Sequence, residues 1–397
     1  MWQGRRVVLG VTGGIAAYKS VLLARGLTEL GAKVDVVLTR GAREFVGPVT
    51  FEAVTHRPVR GSLWDRDGAL AHVTMGRDAD LILVAPATAH LLARAAAGMA
   101  DDLLTALLLA TPAPVIIAPA MNDAMFANPA TQANLELLRA RGWTVVGPVA
   151  GPLAEGPSDR LGRMMEPAEV LRHAERVLRR DGPLAGRRVV VTAGPTREPI
   201  DPVRVVSNRS SGRMGYRLAE SAWRRGAEVT LISGPTALVP PAGVTLVRVE
   251  TTEELAEAVG RAIPRADVLL MAAAPADFRP AAILATKEPR AKGALTLELV
   301  PTRDILLSTI GHRPSAMTVV GFALETGGAV EKGRAKLRNK SLDLIVINDA
   351  LQPGAGFDVD TNIVTILDKK GGEELVTLRS KMAIADSVLD AVERYRA

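Results

Sequence analysis

The chain has 397 residues, of which 48% are hydrophobic, 23% charged and only 3% aromatic, with a net charge of +6 and no cysteine. The length suits two domains of roughly 150–200 residues each rather than one core. The missing cysteine excludes disulfides, thiolate metal sites and a Cys nucleophile, and the scarce aromatics and dispersed basic excess argue against a nucleic-acid groove. The opening MWQGRRVVLGVTGG enters a strand directly, so no signal peptide is expected; the apolar stretch LLTALLLATPAPVIIAP (103–119) is broken by prolines, so no membrane span is expected either. The expected location is the cytoplasm.

Taken in chain order, residues 5–14 (RRVVLGVTGG) predict a buried strand ending in a glycine turn. A helix-like stretch closed by Gly leads into a second strand in LTELGAKVDVVLT (27–39), and DADLILVAPAT (78–88) predicts a third, ending in small residues and Pro. APAMNDAMFANPAT (118–131) places an Asn and a Met in a proline-bounded loop where neither is needed for packing. LAEGPSDRLGRM (153–164) has no periodicity and carries an acid, Glu155. RRDGPLAG (179–186) then breaks the chain, and the plan begins again: RRVVVTAGPT (187–196), AWRRGAEVTLISG (222–234) and RADVLLMAAAPAD (265–277). Continuous Val/Ile/Leu strands alternating with helices imply parallel sheets covered on both faces. The expected fold is α/β, with two doubly wound Rossmann-like parallel-sheet domains in tandem: residues 1–180, a 181–186 linker, and residues 187–397.

Ligands of such folds sit beyond the carboxyl ends of the strands. In the first domain those ends carry Gly13 and Gly14, Thr39, Ala87 and Thr88, and the loop with Asn122 and Met125. A glycine turn opening a helix suits a phosphate, although a plain tight turn is the bland alternative, since neither GxGxxG nor GxxxxGK[ST] is present. VTGGIAAYKS (11–20), DADLILVAPATAHLLARAAAGMADDLLTALLLAT (78–111) and PAMNDAMFANPATQANL (119–135) resemble the flavin-containing cysteine decarboxylases, specifically their phosphopantothenoylcysteine decarboxylases. The resemblance implies bound FMN, with its phosphate at Gly13–Gly14 and near Thr39 and its ring near Ala87–Thr88. It further implies that His72 is the catalytic histidine and that Asn122 holds the substrate carboxylate; capping of the Asn-Asp turn is the alternative for Asn122. Met125, Arg163 and Met164 are candidates for substrate contact. The family has a catalytic Cys in the loop after PxMN, and here Glu155 stands in its place. Either Glu155, kept protonated by a dry pocket, serves as the acid, or the reductive half-reaction is lost.

In the second domain, SNRSSGRMG (207–215) is a Ser/Asn/Gly-rich loop opening a helix, with Arg204, Arg209 and Arg213 nearby, which suits polyphosphate or acyl phosphate. AAAPADFRP (272–280), TKEPRAK (286–292), PTRDIL (301–306), GFALET (321–326) and KLRNKSLDLIVIND (336–349) add an Asp, several Lys and a Phe at other predicted loops. Lys336 and Lys340 are one helical turn apart, so they are expected on one face; a solvated helix face is the bland alternative. TAGPTREPIDPVRVVSNRSSGRMG (192–215) and the remainder of 187–397 resemble phosphopantothenate–cysteine ligases of the bacterial, CTP-using type. The resemblance implies an acyl cytidylate stabilised by Asn208 with Arg204 in the same loop. CTP contacts are implied for Met271, Ala272, Ala273, Asp277, Lys287, Arg303, Asp304, Ile305, Leu306, Phe322, Lys336 and Lys340, and Mg2+ is expected to ride on the CTP phosphates without a protein cage. Arg303 departs from the Pro that relatives carry.

The two resemblances describe consecutive steps of coenzyme A biosynthesis, with 4′-phosphopantothenate, cysteine and CTP as small-molecule substrates and neither nucleic acid nor membrane as partner. They imply a homo-oligomer in which flavin-domain trimers are linked by ligase dimers. The alternatives are an active ligase carrying an FMN-binding but incomplete decarboxylase, or a flavin-binding regulatory or oligomerisation module. A tandem dehydrogenase fails for want of GxGxxG.

Overall fold

The computed structural model describes residues 1–64, 70–287, 294–325, 328–349 and 360–397. The chain forms two compact units, Met1–Leu178 and Arg179–Ala397. Leu184, within the stretch expected as a linker, is fully buried in the core of the second unit.

The first unit runs β1 (Arg6–Val11), α1 (Ala17–Glu29), β2 (Lys33–Leu38), α2 (Pro48–Thr55), α3 (Ala71–Asp78), β3 (Leu81–Ala87), α4 (Ala89–Ala96), α5 (Leu103–Ala110), β4 (Val115–Pro119), α6 (Asp123–Ala127), α7 (Pro129–Ala140), the short strands β5 (Thr144–Val145), β6 (Val149–Ala150) and β7 (Leu161–Arg163), and α8 (Pro167–Leu178). The main sheet is parallel, in the order β2-β1-β3-β4-β5. Alternate residues of its strands feed two cores. Val7, Leu9, Leu81 and Leu83 pack with Leu23 and Leu27 of α1 and Val170 of α8. Val8, Ile82 and Val84 pack with Leu91, Leu104, Leu107 and Leu135 of α4, α5 and α7. Burial on both faces explains why these strands read as unbroken apolar runs. In this order the chain leaves β1 toward β2 and returns across it to β3, so the carboxyl ends of β1 and β3 diverge and open a crevice.

The second unit runs β8 (Arg188–Ala193), β9 (Arg197–Pro199), β10 (Val205–Ser207), α9 (Arg213–Arg224), β11 (Glu228–Ser233), β12 (Thr245–Arg248), α10 (Thr252–Ala262), β13 (Val268–Met271), β14 (Phe278–Pro280), β15 (Leu299–Pro301), α11 (Ile305–Thr309), β16 (Thr318–Glu325), α12 (Ala329–Asn339), β17 (Leu344–Asp349), β18 (Thr361–Asp368), β19 (Glu373–Ser380) and α13 (Lys381–Arg396). Its large sheet has the order β12-β11-β8-β13-β16-β17-β18-β19. Strands β12 to β17 are parallel, while β18 and β19 add on antiparallel. The parallel sheet is as expected, with two antiparallel strands added at one edge; β19, joined to β18 by a turn as short as the one at 369–372, can return only antiparallel.

The repeated plan has a repeated hydrogen-bond basis. An aspartate just before an inner strand accepts an amide from the start of its neighbour, the first in two cases and the second in the third: Asp80 from Arg6 N at 2.8 Å, Asp267 from Arg188 N at 2.9 Å, and Asp343 from Val319 N at 2.8 Å. At the other ends, Thr12 Oγ1 accepts Thr88 N at 3.2 Å and Thr192 Oγ1 accepts Ala273 N at 3.0 Å. The charged acceptor satisfies a strand end that has no ladder partner, and the threonine ties the two strand ends flanking each crevice.

Candidate functional sites

In the first unit, β1 ends at Val11 and the turn Thr12-Gly13-Gly14 leads into α1. A Cβ on Gly13 would stand 2.7 Å from the backbone C and O of Gly41, so the close approach of the β1 and β2 end loops requires glycine there. Thr39 Oγ1 donates to Val11 O at 3.3 Å and accepts Ala42 N at 3.2 Å, fixing the second loop. The N-terminus of α1 has no side-chain cap. These loops border a cavity of about 780 Å3, which Gly13, Gly14, Thr39, Thr88, Asn122, Met125, Glu155, Arg163 and Met164 all line.

Two of the residues expected at this site lie elsewhere in the single chain. Ala87 is buried in the α5-side core, and its carbonyl accepts Ala120 N at 3.1 Å. His72, near the start of α3, does not line the cavity, and its Nδ1 is buried without a hydrogen-bond partner among the described residues.

Asn122 is the N-cap of α6: its Oδ1 accepts Ala124 N at 2.9 Å and Met125 N at 3.4 Å, while its Nδ2 donates to Glu155 Oε1 at 3.4 Å. Capping and carboxylate recognition are therefore compatible, because they use different atoms of one amide. The loop that brings Glu155 here is clamped to the β4–α6 corner, where Ser158 Oγ donates to Asp123 Oδ2 at 3.0 Å and Met121 N donates to Gly162 O at 3.0 Å. Glu155 itself is exposed, so the fold of the chain does not supply the dry pocket anticipated for it. Pro152, Leu153 and Ala154 of the same loop also line the cavity, and Pro152 and Ala154 are exposed as well.

Sequence reasoning missed Lys19. It lines the cavity, is 4% exposed, and donates from Nζ to Met164 O at 3.0 Å and Glu166 Oε1 at 2.9 Å. That hydrogen bond outweighs desolvation and holds the Glu166 carboxyl below its usual range. The available signal was periodicity: Lys19, Leu23 and Leu27 follow one buried stripe of α1, a costly place for a charge without a partner.

In the second unit the carboxyl ends of β8, β13 and β16 meet, with Met271 paired to Thr192 and to Gly321. Helix α9 packs tightly against β8, since a Cβ on Gly215 would lie 2.7 Å from Thr192 O. Asn208 Nδ2 donates to Pro275 O at 2.9 Å and Ala274 O at 3.4 Å, which ties the Ser/Asn loop to the strand-end turn. Arg204 Nε pairs with the buried Asp201 at 2.8 Å. Ala272 and Ala273 continue from β13, and Asp277, exposed, accepts Thr302 N at its carbonyl at 2.9 Å. Arg303 pairs with Glu253 at 3.3 Å. Asp304 caps α11, whose first turn holds Ile305 and Leu306, and pairs with Lys340 at 2.9 Å. Phe322, half-buried, lies on β16 beside these ends.

The two lysines expected on one face engage different partners. Lys336 pairs with Glu325, whereas Lys340, which ends α12 as its C-cap, reaches Asp304. Lys287 is exposed, and the rest of its motif (288–292) lies outside the described residues. A cavity of about 360 Å3 between the start of α12 and the β17–β18 edge is lined by none of the expected residues. Among the described residues no three His, Cys, Asp or Glu side chains gather where a metal ion would be held, and no helix is long and apolar enough to cross a membrane.

Residues 1–178 match the Flavoprotein family, and residues 184–395 match the family described as the DNA/pantothenate metabolism flavoprotein C-terminal domain. The coenzyme A biosynthesis bifunctional protein CoaBC of Mycobacterium tuberculosis is 46% identical over 408 residues, covering 99% of this chain and 97% of the relative. That of Vibrio cholerae is 45% identical over 395 residues, covering 98% of each. The chain belongs to the CoaBC family. Among solved structures, the C-terminal domain of a CoaBC protein is 40% identical, covering 53% of this chain and 96% of that one, with a TM-score of 0.46. The family's two parts correspond in order to the two units, a flavoprotein unit first. The residues present fit a flavin: the uncapped start of α1 and the Gly13–Gly14 turn offer amides to a phosphate, and the cavity at the β1/β3 divergence has room for a ring system.

Proposed function

We propose that the chain carries out two consecutive steps, ligating cysteine to 4′-phosphopantothenate at the expense of CTP and then decarboxylating the product to 4′-phosphopantetheine. It is an enzyme of coenzyme A biosynthesis with ligase and decarboxylase activities, as membership of the CoaBC family implies. In the second unit the substrate carboxylate attacks the α-phosphorus of CTP, pyrophosphate leaves, and the cysteine amine then displaces CMP from the acyl cytidylate. Asn208 orients the acyl cytidylate, Arg204 and Asp277 border it, and Lys287, Lys336 and Lys340 offset charge building on the pyrophosphate. Lys336 and Lys340 exchange their present carboxylate partners for the nucleotide. Mg2+ would be carried by the CTP phosphates rather than by a protein cage, and would offset their charge.

In the first unit, FMN supplies a reversible two-electron oxidation at the thiol-bearing carbon of the substrate, which provides the electron sink that loss of carbon dioxide requires. Asn122 Nδ2 holds the departing carboxylate, Glu155 delivers a proton from its carboxyl group to the substrate, and His72 takes one at its imidazole. His72 lies outside its own chain's cavity, while Ile15, just before α1, and Tyr18 and Leu22, on α1, are exposed apolar side chains, the first two of them lining that cavity. Both support a homo-oligomer in which the cavity is completed across a contact between flavin units; that these are trimers, linked by ligase dimers, is the arrangement the resemblance implies.

The observation that carries these assignments is the meeting of Asn122 and Glu155 in the cavity that the Gly13–Gly14 turn also lines. The exposure of Glu155 favours one second reading, an active ligase whose decarboxylase stalls after carbon dioxide loss. Mass spectrometry of the product from supplied 4′-phosphopantothenoylcysteine tests both. Phosphopantetheine supports the full reaction, a product two hydrogens lighter supports the stalled one, and unchanged substrate sinks the decarboxylase assignment.

A further inference from the structure

The second unit contains a buried polar chain that the reaction steps above do not use. Glu198, in the middle of β9, is 3% exposed, and its Oε1 accepts both Thr252 N at 2.8 Å and Thr252 Oγ1 at 2.7 Å. Thr252 is the first residue of the 11-residue helix α10, so the carboxylate sits where the helix's free amides favour negative charge. Having spent its one hydroxyl hydrogen on Glu198, Thr252 accepts the hydroxyl of Thr196 at 2.9 Å. Thr196, its hydrogen spent in turn, accepts the amide of Ala276 at 2.9 Å. All four residues are buried.

The relay ends on the turn that holds Asn208. The carbonyls receiving the Asn208 amide belong to Ala274 and Pro275, immediately before Ala276, while Ala276 O accepts Thr302 Oγ1 at 2.6 Å. The other side of the same clamp is β10, where Val206 pairs with Glu198 and Ser207 Oγ donates to Thr196 O at 2.7 Å. One buried carboxylate therefore fixes both the loop that carries Asn208 and the turn against which its side chain rests. We propose that Glu198 is a positioning residue of the ligase site, acting through Thr252 and Thr196 on the Ala274–Asp277 turn and through that turn on Asn208. Hydrogen bonds aligned in one direction and anchored by a carboxylate hold a backbone segment more firmly than isolated ones, which suits a turn that must not drift during acyl transfer.

This rests on the CTP-dependent ligase reading, and the test separates the two. Thr196→Val, nearly isosteric, removes the middle link; Thr196→Ser restores it. In the full-length protein, Thr196→Val lowers the kcat of CTP-dependent pyrophosphate release by about ten- to a hundredfold with a smaller change in the KM for CTP, and Thr196→Ser recovers it. In an Asn208→Ala background, Thr196→Val costs at least about fivefold less than it does alone, because the relay acts chiefly through that side chain. Thr252→Val, which breaks the relay at a different residue, gives the same pattern. Hydrogen exchange at the 274–277 amides rises in both valine variants, a readout independent of activity. Unchanged exchange, an unchanged kcat, or an equal loss in the Asn208→Ala background overturns the inference. Absent pyrophosphate release by the unsubstituted protein overturns the ligase reading instead, and the exchange measurement alone then decides the relay.

Discussion

Asn122 Nδ2 points at Glu155 Oε1 across 3.4 Å while the other end of the same amide caps α6. An amide with its oxygen committed to backbone N–H groups can present only its donor, so the local fold presets Asn122 to receive a carboxylate. Asn122→Asp keeps the cap and replaces the donor by a second acceptor facing Glu155. Carbon dioxide release from 4′-phosphopantothenoylcysteine should fall at least about a hundredfold, as expected when a positioned donor is lost. Ligase turnover and flavin content should not change. An activity loss below about threefold would remove Asn122 from carboxylate binding.

Replacing Glu155 tests the proton delivery proposed for it. Glu155→Gln keeps the shape and the contact to Asn122 but holds no acidic proton, so the product should shift to a mass two hydrogens lighter than phosphopantetheine. Glu155→Cys, which supplies a thiol at the same place, should restore the heavier product. If Glu155→Gln makes phosphopantetheine at the wild-type rate, Glu155 is not the acid.

Gly13→Ala adds a methyl group where the nearest atoms are backbone, at 2.7 Å, and backbone cannot step aside as a flexible side chain can. The β1 and β2 end loops must separate, disturbing the amides offered to a phosphate. The flavin absorbance of the purified protein should drop about tenfold or more relative to wild type, with the ligase reaction intact. Full flavin content in this variant would argue against the Gly13–Gly14 turn as the phosphate seat.

The Asp304–Lys340 pair makes a stability prediction with a defined sign. Burial pushes the Asp304 carboxyl up, but the Lys340 ammonium and the Leu307 and Leu306 amides outweigh it and hold it below the usual carboxylate range. A depressed carboxyl contributes stability that is present above its ordinary pKa, near 4, and is lost as pH falls through the lowered value. Asp304→Asn retains a capping oxygen for α11 and loses the ion pair. It should therefore cost less than about 1 kcal/mol near neutrality, as the pair is partly exposed, and this difference should vanish in strong acid. Urea unfolding across the acid range measures it; a difference that grows as pH falls would contradict the assignment.

Much of the architecture was legible because it is written in local terms. The unbroken apolar runs at 7–11, 81–87 and 189–191 became doubly covered parallel strands, since only strands buried on both faces need no polar residue in alternation. The β18–β19 hairpin was not anticipated, because its residues alternate and its pairing depends on which edge of the sheet remained free. Lys19 was passed over because a lysine in a helix is ordinarily solvated; its burial follows from α8 and the preceding loop closing over α1.

Residue order alone determined where each parallel strand ends in a glycine- or proline-bearing turn, and that Glu155 lies in the loop that follows the PAMN segment. Those are properties of short stretches, set by spacing and residue type. Only the tertiary structure decided that Asn122 turns its donor toward Glu155, that Lys336 and Lys340 part company, that His72 stands away from its own cavity, and that Glu198 reaches Ala276 through two threonines. Each of these depends on the distance between atoms far apart in the chain, and packing sets such distances after every local preference has been satisfied.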